Sequence, residues 1–90
     1  MTPREITIKR LRMRSMRRGI KEMDLILIDY STRRLDTLSD AEIETYDALL
    51  AENDQQIYAW ILGTDPAPEP YAPLIAELRA NAEGLTRPSA

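Results

Sequence analysis

The sequence predicts an all-α fold, a small bundle of about five short helices, and three observations carry that prediction. Apolar residues recur at helical spacing in successive segments. Capping residues and glycines punctuate those segments. The one run that reads as a strand, Leu25-Ile26-Leu27-Ile28, has no strand partner and sits inside a longer helical pattern. With 90 residues the chain is one domain, 1–90, with its core at about 4–83 and a tail at 84–90 expected to fray.

Thr2-Pro3-Arg4-Glu5 opens the first helix: Thr2 caps, Pro3 suits the first helical position, and Glu5 completes a capping box. Ile8, Leu11 and Ser15 share one stripe, with Ile6, Met13 and Met16 beside it, and Gly19 supplies a stop. A second helix is expected from near Ile20 to about Arg34. Met23, Ile26, Leu27 and Tyr30 form its stripe, and Leu25 and Ile28 widen it. The third begins at the capping box Ser39/Glu42, with Leu38 able to staple onto Ile43, and continues through Tyr46, Leu49 and Leu50. Asn53-Asp54-Gln55-Gln56 caps a fourth helix carrying Ile57, Tyr58, Trp60, Ile61 and Leu62, which Gly63 closes. Four prolines in Gly63–Pro73 rule out a long helix and predict an extended linker. A last amphipathic segment uses Leu74, Ile75 and Leu78 and stops by Gly84.

Composition narrows the function classes. The chain has neither cysteine nor histidine, so disulfides, thiolate metal sites and the usual general base are excluded, and an independent enzyme is not expected. The acids Asp36, Asp40, Glu42, Glu44 and Asp47 match no calcium loop and read as helix-start acids, so no metal is expected. Tyr30, Tyr46, Tyr58, Trp60 and Tyr71 must supply the bulky packing in a chain without phenylalanine. No run is long and apolar enough to span a bilayer, and no signal-peptide h-region is present. Residues 4–18 partly fit a transit peptide but run into the domain, so a mature cytoplasmic protein is expected.

The net charge of -3 conceals an uneven distribution. Residues 1–21 carry eight of the twelve basic side chains and one acid, which splits the chain into parts of about +7 and -10. Such a basic segment reads as a solvated helix, as a surface for an acidic protein, or as a nucleic-acid contact. No zinc-finger, helix-turn-helix or RNA-binding signature accompanies it.

At its end stands Arg17-Arg18-Gly19-Ile20-Lys21-Glu22-Met23-Asp24. One reading is a helix-breaking glycine beside an Arg18–Glu22 pair at i,i+4, in the less favourable order against the dipole. The other is a tight corner at Gly19, with the Arg18 and Glu22 head groups facing outward as a rigid recognition patch.

These residues carry a resemblance. Arg18-Gly19-Ile20-Lys21-Glu22 matches the Arg-Gly-x-x-Glu motif of the SdhE-like flavinylation factors, the succinate dehydrogenase assembly factor two type. "RRGIKEMDLIL", "LSDAEIETYDALLAENDQQIYAWILG" and the proline-rich stretch follow in the same order, over about residues 10–80. The resemblance implies a five-helix assembly factor that binds the flavoprotein subunit of succinate dehydrogenase, or of fumarate reductase, and promotes covalent attachment of FAD to it. Such a factor is chaperone-like rather than an enzyme. Arg18, Gly19 and Glu22 carry over as partner-binding residues, with Arg17 and Asp24 as their neighbours. No cofactor is expected to stay bound, because the FAD goes onto the partner, and a monomer is the expected state. On this reading, truncating Arg18 or Glu22 leaves the fold intact and impairs flavinylation. The alternatives are a small nucleic-acid-binding regulator using residues 4–21, distinguished by salt-dependent duplex binding, and an independent flavin-binding protein, distinguished by yellow colour.

Overall fold

Thr2 starts the first helix as the capping pattern predicts: its hydroxyl accepts the Glu5 backbone N–H at 3.1 Å and Pro3 takes the first helical position. The computed structural model describes residues 1–86. Helix α1 spans Pro3–Arg14 and turns Ile8 and Leu11 into the core. Ser15 is buried too; its hydroxyl donates to the Leu11 carbonyl at 2.7 Å and lies 2.6 Å from the Tyr46 hydroxyl. The helix stops at Arg14, not at Gly19. Arg17 adopts a left-handed φ of +53°, and the Arg14 carbonyl receives the Arg18 guanidinium at 3.1 Å. A side chain from beyond the helix thus satisfies a carbonyl that a further turn would have used. Ile6, Met13 and Met16 lie outside the core and are exposed.

Helix α2 spans Lys21–Arg34, so the Leu25–Ile28 run is helical as argued from its length. Met23, Ile26, Leu27 and Tyr30 are buried, together with Ser31. Leu25 and Ile28, expected to widen that face, are instead 45% and 36% exposed. At 100° per residue they point away from the Met23/Ile26/Leu27/Tyr30 side, and only that side faces the bundle. A short 3-10 turn, Leu35–Thr37, buries Leu35 and leads to buried Leu38.

Helix α3, Asp40–Leu50, begins at a complete capping box: the Ser39 N–H donates to Glu42 at 2.9 Å, and the Glu42 N–H donates to the Ser39 hydroxyl at 3.2 Å. Helix α4, Asp54–Leu62, is capped by Asn53, whose Oδ1 accepts from Gln55 and Gln56. It ends at Gly63 in the left-handed region, φ +83°. A Cβ there would sit 3.2 Å from Nη2 of Arg79, whose guanidinium donates to the Trp60 and Ile61 carbonyls. The proline-rich linker is pinned at Tyr71: the ring lies 5.5 Å from Trp60, and the hydroxyl donates to Glu52 at 2.9 Å. Helix α5, Ala72–Thr86, buries Ile75 and Leu78 and packs against α2 and α4. It passes Gly84, where a stop was expected; the rest of the tail expected to fray, 87–90, lies outside the described residues.

The uneven charge distribution has an internal use. Arg4 pairs with Asp40 and Arg12 with Asp36, each at 2.7 Å, and Arg14 pairs with Asp47. The basic helix is therefore laid against the 3-10 turn and the acidic start and flank of the third helix.

Candidate functional site

The segment between α1 and α2 is a built corner. Arg17 takes φ +53° and Gly19 φ +103°, the second a value that side-chain-bearing residues rarely adopt. Beyond Gly19 and its two chain neighbours, no heavy atom lies within 4 Å of where a Gly19 Cβ would stand, so the glycine is required by backbone geometry and not by crowding. Ile20 caps α2 without a side-chain hydrogen bond. Asp24, one turn into the helix, reaches back and accepts the Arg18 backbone N–H at 2.8 Å. With Glu22 it also places negative charge in the first turn, where the helix dipole favours it.

The Arg18 side chain corrects the expectation of two outward head groups: it turns inward and is only 13% exposed. Its Nε and Nη2 donate to Asp54 Oδ1 at 2.9 and 2.6 Å. Nη2 also donates to the Leu50 carbonyl at 2.7 Å, and Nη1 to that of Arg14. One guanidinium therefore serves the last carbonyls of α1 and α3 and the first residue of α4. It places a cation where two helix C-termini concentrate negative partial charge. The i,i+4 Arg18–Glu22 pair is not formed. Glu22 is exposed, as are Arg17 and Gly19, whereas Asp24 is half-buried.

The five sequence-predicted residues thus lie on one corner in two roles. Arg18 and Asp24 fix the loop from inside, and Arg17, Gly19 and Glu22 form its outer surface. Sequence reading missed Asp54, which looked like one member of a capping region. It stands 36 residues from Arg18, and no local pattern links the two.

Away from the corner, a concavity of about 190 Å³ lies among Tyr30, Glu42, Thr45, Pro70, Pro73, Leu74 and Glu77. Its carboxylates are committed elsewhere, Glu42 to the Ser39 cap and Glu77 to Arg34 at 2.6 Å. The Tyr30 hydroxyl is pushed up to about 12, first by burial and then by Glu77. A tyrosine shifted in that direction is not poised for proton transfer near neutrality. Among the described residues no cluster of three or more acidic side chains is arranged to hold a metal, and no helix is long and apolar enough to cross a membrane.

The family profile described as "flavinator of succinate dehydrogenase" matches residues 9–82, which include the whole corner and every residue that Arg18 and Asp24 join there. The chain belongs to that family. Its similarity to individual members is substantial. It is 40% identical over 83 residues to the mitochondrial succinate dehydrogenase assembly factor 2 of Yarrowia lipolytica, covering 87% of this chain and 57% of that one. The Meyerozyma guilliermondii protein of the same name is 46% identical over 57 residues, 63% of this chain and 42% of its own. The FAD assembly factor SdhE of Legionella pneumophila is 30% identical over 63 residues, 70% of this chain and 80% of its own. This flavinator-family chain therefore spans about two fifths to three fifths of the two fungal relatives. The family is one of assembly factors.

Proposed function

We propose that the chain is a non-catalytic assembly factor that binds the flavoprotein subunit of succinate dehydrogenase, or that of fumarate reductase, and promotes covalent attachment of FAD to it. The single observation that supports this best is the corner itself: a Gly19 backbone that few other residues tolerate, clamped by Arg18–Asp54 and Asp24, presenting Arg17, Gly19 and Glu22 within a family named for flavinylation. A rigid surface of this kind acts by positioning: it favours one arrangement of a mobile partner, and any arrangement it favours reacts faster in proportion to its population. Gly19 lets the partner backbone approach closely. Glu22, bearing charge and free of internal bonds, is the group for which the partner supplies a donor.

On this proposal the chain holds no FAD of its own, and the flavin ends on the partner. The test is co-expression with the flavoprotein subunit, reading in-gel flavin fluorescence. Fluorescence that rises with the wild-type chain and not with Glu22→Ala supports the proposal. Equal fluorescence with and without the chain overturns it. The cytoplasmic placement is part of the same proposal; relatives named mitochondrial make an organelle the opposing outcome, which cell fractionation decides.

A further inference from the structure

The core of α2 is complete without Leu25 and Ile28: Met23, Ile26, Leu27 and Tyr30 are all at most 2% exposed. The opposite side of the helix carries Lys21, Leu25, Ile28 and Thr32, spaced i, i+4, i+7 and i+11, which is one continuous outward stripe. Two large aliphatic side chains adjacent on that stripe differ from singly scattered surface apolars, which need no explanation. The stripe begins at the corner, since its first member, Lys21, opens α2 and Glu22 is one turn from Leu25. Its charges are also uncommitted. Arg4, Arg12, Arg14, Arg18, Arg33 and Arg34 all pair with acids. Arg17, Lys21 and Glu22 are exposed and are in none of those pairs.

Resting on the function just proposed, we propose that the flavoprotein-docking surface runs from the Gly19/Glu22 corner two turns along α2, with Leu25 and Ile28 as its apolar centre. The occupant is the folded flavoprotein subunit, meeting the stripe with an apolar patch. The rim charges specify its chemistry: acidic groups opposite Arg17 and Lys21, and a cation opposite Glu22. This is the usual anatomy of a protein interface, an apolar centre that excludes water inside a polar rim. It also explains why a helix that must fold in water keeps two aliphatic residues on its wet side.

The test is a titration of purified flavoprotein subunit with the full chain and its variants, with circular dichroism and sedimentation of each. Leu25→Gln and Ile28→Gln preserve helix propensity and empty no core. Together they are expected to weaken binding at least tenfold with unchanged dichroism, while Leu62→Gln, at an exposed apolar position on α4, binds like wild type. Binding by the double variant within twofold of wild type, with Glu22→Ala still impaired, overturns the extension and leaves the proposed function standing. A wild-type chain that does not bind the subunit overturns both. Self-association of the wild-type chain that the double variant abolishes, with subunit binding retained, assigns the stripe to a second copy and also overturns the proposal.

Discussion

Arg18 and Glu22 are four residues apart in one motif and yet should fail differently when truncated. Arg18→Ala removes the partner of Asp54 and leaves the carbonyls of Leu50 and Arg14 without their donor. Losing charge-assisted bonds at a half-buried site costs about 2 kcal/mol, or a Tm decrease of roughly 10 °C for a domain of this size. Asp54→Ala should cost a similar amount, and the double variant less than the sum by about 1 kcal/mol, the coupling that a thermal-melt cycle measures. Additive losses would mean that the two side chains act independently. Glu22→Ala should melt like wild type and lose flavinylation. Gly19→Ala belongs with neither: the open space around its Cβ removes any clash, and the φ of +103° alone costs about 1–3 kcal/mol. Denaturant midpoints for Gly19→Ala separate that strain from recognition, because flavinylation assayed well below its Tm reports only the latter.

The helices differ in how plainly the sequence declares their ends. α3 and α4 start at local capping patterns and α4 closes on a glycine, so both starts and the end of α4 were legible from four-residue windows. The end of α1 was not: it falls at Arg14, ahead of a left-handed Arg17 and not at the glycine, and the Arg14 carbonyl is taken by Arg18, which also bonds Asp54, 36 residues away. The corner was legible as a motif and not as a geometry, since the residues do not reveal which of two charged head groups turns inward. Leu25 and Ile28 were misjudged for a related reason: hydrophobic spacing reports apolar character and does not distinguish a core from a docking face. The legible caps give two tests. Ser39→Ala should cost about 1 kcal/mol in thermal stability while subunit binding, measured well below Tm, stays at the wild-type level; a larger binding loss would place Ser39 in the interface. Glu42 is held below its ordinary value of 4.5, first by the Ser39 backbone N–H and then by its hydroxyl. A depressed carboxyl stabilises the fold fully above its unfolded value and loses that contribution as pH falls through its folded value. Gln can make the same capping bond without titrating. The Tm advantage of wild type over Glu42→Gln should therefore shrink below about pH 4.5, and an advantage constant down to pH 3 would exclude this linkage.

Across the whole molecule, half of the basic segment that suggested a nucleic-acid contact is spent on the chain's own acids. Three arginines of α1 meet Asp36, Asp40 and Asp47, leaving Lys9, Arg10, Arg17 and Lys21 unpaired on a chain of net charge -3. These pairs are solvent-accessible, so each contributes only about 0.2–1 kcal/mol, and added salt weakens them further. Their combined effect is directional: they hold α1 in place where Ile8 and Leu11 are the only core side chains it supplies. Changing Asp36, Asp40 and Asp47 together to Asn should accordingly loosen α1 more than the rest. Hydrogen exchange is expected to quicken in residues 5–14 while α3, α4 and α5 keep their protection, since local opening follows local contacts. The variant has net charge 0 and three arginines released from their partners, so it should also bind duplex DNA with salt-sensitive affinity, where the wild-type chain is expected to show none at 150 mM salt. Unchanged exchange in α1 would show that Ile8, Leu11 and the Ser15–Tyr46 hydrogen bond suffice to dock the helix. Wild-type duplex binding that weakens steeply with salt would show instead that the four unpaired cations form a nucleic-acid surface in their own right.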